Sequence, residues 1–462
     1  MRKTGSLDGW RGTVALAVAL FAAQAALWIN PGYFSHDELQ WGARAAVGSG
    51  RSLPFLSFTD WHTFQFRPLT FNLWLLLSQS LFDSPRLFHA LFAALGAANA
   101  LLLVKVLRAA GCRRAVAFGA ALAFTFSPSA AWVHGWVGCL ADLLWVGLGL
   151  ALVVFLQHCA AAETRDSDAR STPGPAGTWA IAAVAALLTA LALLSKEAAL
   201  SIPALLGLAA VLLRPPRVWR LAAFASGAVA VLYLALRLET LTAPDAASSY
   251  AVQFGALPLR LGEYALFPWA LGMQEVAAMA RADPAKWLRL ALAPLAVALC
   301  LWRAGPRFLL AGAAGSVLAL GPVLVLPTSA NQYGYGLAAL ACGVAALAWS
   351  RLGRAGKLTL ALLALVAAVH GLQIQNRMLE IGRLQSVFSP SLAAQAQAQP
   401  QGPIRLWPVR EDHAYAYARL SHEVPSWRGV ALGARVSLAE RAEQATHRIA
   451  PDGRVHPIQA LP

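Results

Sequence analysis

Charged residues are scarce in this chain of 462 amino acids. Only 13% of its residues are Asp, Glu, Lys or Arg and 58% are hydrophobic, whereas a typical soluble domain carries about 25% charged residues. Several of the apolar runs are also long enough to cross a bilayer. The composition therefore excludes an ordinary soluble protein and predicts an all-α polytopic membrane protein.

Cysteine is scarce as well, with 5 residues and no Cys-x-x-Cys pair. Four of the five lie in or beside apolar runs, so the sequence predicts neither a disulfide framework nor a zinc site. No metal ligands and no cofactor are assigned, and a requirement for a divalent metal stays open. The chain also lacks an obvious small-residue cleavage site near its first apolar run, which is therefore predicted to be an uncleaved anchor.

Acidic residues are outnumbered, and the formal net charge is +15. In a soluble protein this excess would suggest nucleic acid as a partner, but most of the cations here fall in short loops between apolar runs, where they set orientation. With the N-terminus inside, these loops lie on the cytoplasmic side and the C-terminal tail lies outside. The partners expected from this pattern are the lipids of the cytoplasmic (inner) membrane, and no nucleic acid.

About eleven apolar segments are predicted to cross the membrane. They lie near residues 13–29, 87–107, 115–126, 139–157, 179–194, 198–213, 221–238, 287–302, 308–326, 335–349 and 358–374. Residues 30–86 form the first outer loop, in which segments after Ser35 and over 71–82 are predicted to be helices lying in the interface. A small loop is predicted to carry Trp132, His134 and Trp136.

The chain divides by composition into two parts. Residues 1–374 are the predicted transmembrane core, and residues 375–462, with prolines, charges and an Ala-Gln repeat, are predicted to be a small extramembrane domain or tail on the periplasmic side. A weak strand signal lies at 404–407. Within the core, residues 163–177 are polar and rich in small residues, which predicts a flexible loop.

Two acids and a histidine stand together after the first apolar run, in the stretch Ser35-His36-Asp37-Glu38. Acids beside a membrane span are costly unless the site uses them. Ser35 and Glu38 have the spacing of a capping box, in which the glutamate reaches back to the serine amide. Asp37 is then free in the first turn of the helix, about 100° around from Glu38. The alternative is that these polar residues simply cap a surface helix.

Two charged positions at the ends of spans are candidates for binding a substrate. Asp142 lies a turn inside a predicted span, where an acid costs about 2.5–3.5 kcal/mol on insertion scales and wants a partner; its alternative role is a structural hydrogen bond to a neighbouring helix. Lys196 stands beside Glu197, and an outward lysine there can neutralise an anionic headgroup as a point charge. Alternatively the two form a surface pair and the lysine snorkels.

The remaining candidates are polar residues of predicted outer loops, each with a simple structural alternative: Asp60, His62, Arg67, His134, Gln332, Tyr333 and Tyr335. Asp60, His62 and His134 could be ordinary loop residues. Arg67 could be a cation that faces the lipid headgroups. The two tyrosines could anchor an aromatic belt at the interface.

The order of these segments resembles that of the C-type integral-membrane glycosyltransferases (the GT-C superfamily), and most of all their O-mannosyltransferase-like branch. The stretches that carry the resemblance are 35–38, 60–70 with 88–91, 136–144, 194–203 and 326–335. Their order, spacing and shared sidedness make the set more specific than any single match. No degenerate repeat of about 34 residues follows Tyr335, so the helical repeat domain of some relatives is absent.

The resemblance implies a glycosyltransferase of the hexosyl or mannosyl type. The donor would be a sugar on a polyprenyl phosphate, and the acceptor a glycan, lipid or protein on the outer face. Asp37, paired with Glu38, would be the general base, and Lys196 a phosphate contact. Two departures remove positive charge, because Gln332 and the pair Cys139-Leu140 stand where relatives carry an arginine. The phosphate would then rely on Arg67 and Lys196.

Two alternatives to a glycosyltransferase are a transporter and a scaffold or ligase for lipid-linked glycans. A transporter predicts ionisable residues near the midplane on broken helices, whereas the charges here collect at outer ends of spans. A ligase would more plausibly use a large late outer loop. In this chain the first outer loop carries the most polar groups, which favours the glycosyltransferase.

Overall fold

The structure is a computed structural model, and it describes residues 10–47, 53–166, 175–213, 216–243, 250–281 and 284–458. The Gly48-Ser49-Gly50 segment lies outside the described residues, as does the middle of the flexible loop predicted over 163–177. The edges of that predicted loop are helical, because one helix runs on to Asp166 and the next begins at Pro175.

Helices make up most of the described chain. In chain order they are α1 (Trp10–Ala22), α2 (Ala25–Trp28), α3 (His36–Val47), α4 (Pro68–Leu81), α5 (Pro85–Ala109), α6 (Arg114–Thr125), α7 (Pro128–Gly135), α8 (Leu140–Asp166), α9 (Pro175–Ser195), α10 (Ser201–Leu213), α11 (Arg217–Thr242), α12 (Leu257–Leu266), α13 (Pro284–Ala304), α14 (Pro306–Leu320), α15 (Tyr335–Ala348), α16 (Arg354–Ala398) and α17 (Ala414–Ser421).

Eight helices of the described chain are long and apolar enough to cross a membrane, namely α5, α8, α9, α11, α13, α14, α15 and α16. Helices α6 and α7 meet the same criterion together, with a 63° bend between them, and α1 and α10 are apolar but shorter. These elements correspond one by one to the eleven predicted spans. The chain is therefore an all-α polytopic membrane protein, as the sequence predicts.

The bend between α6 and α7 replaces the small loop predicted around Trp132. The Ser127 hydroxyl accepts a hydrogen bond from the amide of Ala130, and Pro128 occupies the first position of the new helix, where its fixed φ is favourable. The chain therefore restarts a helix at once. All eight residues of α7 are buried, so the predicted outer loop is a helix within the protein.

Helices α3 and α4 are the two helices predicted in the first outer loop, and they pack on each other. Helix α4 starts three residues earlier than predicted because Pro68 again serves as a first helical residue. The rings of Trp41 on α3 and Trp74 on α4 lie 4.9 Å apart. This contact places the first turn of α3, with its two acids, beside the helical core.

Helix α16 continues far past the predicted end of the last span. Its 45 residues correspond to about 68 Å, roughly twice the hydrocarbon thickness of a bilayer. The distal part has a soluble composition but repeats buried residues every three or four positions, as at Met378, Ile381, Gln385 and Phe388. That period is the signature of a helix with one packed face, and it crosses the boundary predicted at residue 374.

The C-terminal segment forms a small α/β unit against the distal part of α16. Its strands are β1 (Ile404–Pro408), β2 (Ser426–Trp427), β3 (Val430–Ala431), β4 (Val436–Leu438), β5 (His447–Ile449) and β6 (Val455–Pro457). Strand β1 pairs in parallel with β4 and β5, and β6 pairs antiparallel with β5. The strand predicted at 404–407 is confirmed. The Ser391 hydroxyl of α16 accepts from the Val455 amide at 2.9 Å, which joins the sheet to the helix.

Candidate active site

Glu38 is the buried member of the acid pair, with 1% of its surface exposed. Its Oε2 accepts hydrogen bonds from the amides of Phe34 (2.6 Å) and Ser35 (2.8 Å), and its Oε1 accepts from the amide of Val137 (3.0 Å). The predicted reach of Glu38 back to Ser35 is confirmed. Burial raises the pKa of Glu38 to about 8, although the three N–H groups favour the ionised form.

Asp37 is the accessible member of the pair. Its side chain is 38% exposed, and its Oδ1 lies 3.2 Å from Nε2 of His36. Burial lowers the pKa of His36, which favours a neutral imidazole at neutral pH. Asp37 lies in the first turn of α3, where the helix dipole stabilises a negative charge. The result is a reachable carboxylate beside a histidine whose lowered pKa favours its neutral form.

Lys196 and Asp142 form an ion pair inside the helical core. The lysine Nζ lies 2.6 Å from each carboxylate oxygen, and the two residues are 3% and 2% exposed. Nζ also lies 4.8 Å from the ring centroid of Tyr333. The prediction that Asp142 has a partner is therefore confirmed, and the partner is Lys196. The snorkelling alternative for Lys196 is wrong, because the lysine is turned into the protein.

Arg67 and Glu197 form a second pair close by. Arg67 Nε donates to Glu197 Oε2 at 2.8 Å, and both side chains are mostly buried. The alternative surface pair of Lys196 with Glu197 is therefore wrong, since each residue bonds a partner on another element. The hydroxyl of Thr70 donates to the carbonyl of Ser195 at 2.9 Å, so α4 is fastened to the end of α9. Two cations and two acids balance within this cluster.

His134 and Tyr335 lie in the core rather than in an outer loop. The His134 ring makes contacts through both nitrogens, Nδ1 with Gln24 Oε1 at 2.7 Å and Nε2 with the Tyr335 hydroxyl at 2.9 Å. Asn99 Nδ2 also donates to that hydroxyl, at 3.1 Å. Each group is satisfied within the protein, so this network fixes α5, α7 and α15 relative to one another. Gln332, just before these tyrosines, is half-buried.

Asp60 and His62 lie in the exposed part of the first outer loop. Asp60 Oδ2 accepts from the Thr63 hydroxyl at 2.6 Å, and His62 is exposed. The loop is held by Arg237, a fully buried residue of α11, whose guanidinium donates to the carbonyls of Trp61, Thr63 and Phe64. Sequence reasoning missed Arg237, although a cation at the end of an apolar span was the available signal.

Arg419 of α17 reaches the acid motif from the C-terminal unit. Its Nε donates to the Ser35 hydroxyl at 3.1 Å. Its guanidinium carbon lies 4.7 Å from the ring centroid of Phe34 and 5.1 Å from that of Trp136. The nearest carboxylate, that of Glu275, is 3.9 Å from Nη1. No sequence signal could join two residues 384 positions apart, and Arg419 was missed.

Comparisons with known proteins add one similarity to this geometry. No family model and no curated protein matches the chain. Among solved structures, the chain is similar to the mycobacterial arabinofuranosyltransferase AftD, at 17% sequence identity and a TM-score of 0.43. The match covers 87% of this chain and 30% of that chain. A similarity at this level does not establish the activity or the substrates of this chain.

A metal site is not evident from the side chains. Within the described residues, no group of three or more His, Cys, Asp or Glu side chains is placed to hold a metal ion. The five cysteines are free thiols, three in helices α8, α13 and α15 and two in the segments between helices.

Proposed function

We propose that the protein is an integral-membrane glycosyltransferase that moves a sugar from a polyprenyl-phosphate donor to an acceptor on the outer face of the membrane. The observation that carries the proposal is the division between two adjacent acids. Glu38 is occupied by three backbone amides, whereas Asp37 is accessible beside His36. This division supports the general-base role that the sequence resemblance implies for Asp37.

The proposed reaction is a single displacement at the anomeric carbon. Asp37 removes the proton from the acceptor hydroxyl as its oxygen attacks that carbon, the bond from the carbon to the phosphate oxygen breaks, and the lipid phosphate leaves with the electron pair. General-base catalysis typically supplies about 10²–10⁴-fold. The neutral His36, at 3.2 Å, is placed to receive the proton from Asp37 afterwards.

The leaving phosphate needs a cation, and the predicted cations are already matched. Lys196 is paired with Asp142 and Arg67 with Glu197, so this cluster adds no net positive charge. Arg419 bonds neutral oxygens of Ser35 and Tyr415, and within the described residues its Nη2 donates to no group. We therefore add Arg419 as the proposed direct phosphate contact, while the pairs of Lys196 and Arg67 hold α4, α8 and the end of α9 together.

The positions of the charges support an enzyme over a transporter. Asp142 is the third residue of α8 and Lys196 directly follows α9, so both lie at helix ends. A transporter would place such groups near the membrane midplane. The accessible acid, Asp37, lies in α3, which is not one of the candidate membrane spans. Helix α3 lies beside the C-terminal unit.

The test compares lipid-linked sugars and surface glycans in cells with and without the gene. We expect one polyprenyl-phosphate sugar to accumulate and one glycan to lose a residue when the gene is absent. The parent gene should restore both, Glu38→Gln should restore them largely, and Asp37→Asn should restore neither. Unchanged lipid-linked sugars and glycans in the deletion strain would contradict the proposal.

A further inference from the structure

A cavity of about 180 Å³ lies where the helical core meets the C-terminal unit. Its walls come from five parts of the chain. They are Phe34 before α3, Trp132 of α7, Gln274 and Glu275, the distal part of α16, and Tyr415 of α17. Its sides differ in chemistry, with aromatic rings on one side, aliphatic groups on another and polar groups at the edge. The residues that matter here are Phe34, Trp132, Glu275, Arg377, Met378 and Tyr415.

The cavity lies at the aqueous end of the last span. Helix α16 begins at Arg354, and the cavity touches it from Ile374 to Ile381. At 1.5 Å per residue, this stretch begins about 30 Å from the start of the helix, which is the thickness of the hydrocarbon core. A ligand that fills the cavity therefore comes from the water side and is not a lipid chain.

Several polar groups around the cavity have no partner within the described residues. The indole N–H of Trp132 is buried without an acceptor. Glu275 Oε1 accepts from the Tyr415 hydroxyl at 3.2 Å, but its Oε2 has no hydrogen bond. Arg419, with a free Nη2, lies over the ring of Phe34. Of these groups, the Glu275 carboxylate lines the cavity and is reachable from it, so a ligand with hydroxyl groups can donate to it.

The polar edge is rigid. Asn331 Nδ2 donates to the carbonyl of Gln274, and the amide of Val276 donates to Asn331 Oδ1, both at 2.6 Å. This clamp fixes Glu275 between two bonded neighbours. A preorganised carboxylate binds a ligand without an ordering cost, which is the property expected of a recognition site rather than of a surface loop.

We propose that this cavity binds one sugar ring of the acceptor. The aromatic and aliphatic sides fit the C–H faces of a sugar, and the lining carboxylate of Glu275, guanidinium of Arg377 and hydroxyl of Tyr415 fit its hydroxyls. The volume is below the ~300–1,000 Å³ of pockets for drug-sized ligands, which limits the occupant to a single ring. Phe34, in the cavity wall, stands three residues before Asp37 in the chain. The inference rests on the proposed function.

The test measures sugar binding directly, without donor or transfer. Saturation-transfer NMR on the purified protein in nanodiscs would use a panel of free hexoses, pentoses and N-acetylhexosamines. We expect a signal from at least one sugar, weakened roughly ten- to a hundredfold by Glu275→Gln, since a hydrogen bond to a charged group is lost. Asp83→Asn is the matched control, because Asp83 is an exposed acid paired with Arg428 away from this cavity.

A second experiment varies the ligand and keeps the parent protein, so its result does not depend on whether a variant folds. Deoxy analogues of the bound sugar should lose the signal where the missing hydroxyl faced Glu275, because a site that bonds a hydroxyl rejects the analogue without it. The proposal is overturned if no sugar binds in a manner that Glu275→Gln weakens. It is also overturned if polyprenyl-phosphate sugars displace the ring, since the cavity then holds the donor sugar.

These outcomes separate the inference from the proposed function. A parent protein that binds a sugar in this cavity but transfers none would contradict the glycosyltransferase and leave a sugar-binding site. A parent protein that transfers sugar while Glu275→Gln leaves sugar binding unchanged would keep the enzyme and remove the acceptor site.

Discussion

Two charged regions of the molecule differ in how their charges are used. The inner pairs, Lys196 with Asp142 and Arg67 with Glu197, are buried or mostly buried and matched one to one. At the junction between the core and the C-terminal unit, Asp37 is accessible, and Arg419 donates to neutral oxygens while its nearest carboxylate, Glu275, is 3.9 Å away. Charges of the first kind hold helices together, and under the proposed function those of the second kind contact the substrates.

Removing the charge of Asp37 should have the largest effect of the changes considered, and the quantity affected is the transfer rate. Asp37→Asn keeps the shape and removes the base, so transfer should fall by about 10²–10⁴-fold. Donor binding should survive, because the phosphate contact lies on another residue. The measurement is the transfer rate and donor affinity of purified protein. Near-parental transfer by Asp37→Asn would remove the assigned role, and a dead Glu38→Gln beside an active Asp37→Asn would exchange the two roles.

Breaking the inner pair of Lys196 and Asp142 should lower the stability of the protein more than its affinity for the donor. Lys196→Gln leaves the Asp142 carboxylate buried without its cation, which typically costs roughly 3–5 kcal/mol. Lys196→Gln combined with Asp142→Asn removes both charges and should recover much of the loss. The thermal midpoint in detergent measures both. A stable Lys196→Gln whose only defect is weak donor binding would restore Lys196 as the direct phosphate contact.

At the junction, Arg419→Gln should weaken donor binding without unfolding the protein. A hydrogen bond to a charged group contributes roughly 1.5–3 kcal/mol, which corresponds to some tens of fold in affinity. Arg419→Lys should recover part of the loss, because the charge remains while the fork geometry is lost. Arg428→Gln is the control, an exposed arginine of the same unit. Equal donor affinity in Arg419→Gln and Arg428→Gln would exclude Arg419 as the contact.

The smallest expected effect is the pH dependence of stability that comes from Glu38. Its pKa is about 8 in the folded chain, against an ordinary value of 4.5. Because the folded state holds this proton more tightly, the contribution of Glu38 to stability is complete below about pH 4.5 and is lost as the pH rises through about 8. Glu38→Gln keeps an acceptor oxygen and does not titrate.

The measurement compares thermal midpoints of the parent and Glu38→Gln between acidic and alkaline pH. The parent should lose more stability than the variant over that range. A difference between the two that is independent of pH would indicate that the amides keep Glu38 ionised throughout.

Sequence reasoning located the spans because a helix in lipid must be apolar along its length, and that property is local. The capping contact of Glu38 with Ser35 was also local, and it was predicted. The pairing of Lys196 with Asp142 was not predicted, because it joins residues 54 positions apart. The sequence did predict that Asp142 has a partner, since burying an unpaired acid is costly.

Two errors have a common origin in composition. Helix α7 was predicted as a small loop around Trp132, yet Ser127 followed by Pro128 is a cap and proline that start a helix. The distal part of α16 was assigned to a soluble tail because it is polar, although its buried residues recur with a helical period. Arg419 was out of reach, because its place depends on how α17 folds back on α3.

Helix α16 runs from the last span into the C-terminal unit, so its length fixes the position and rotation of the residues at its far end. A single residue inserted after Gln375 would turn everything beyond it by about 100° and advance it by 1.5 Å. Tyr415 and Arg419 would then face away from Phe34. Under the proposed function, the length of α16 therefore sets the distance between the C-terminal unit and the acid motif, and with it the space that an acceptor enters.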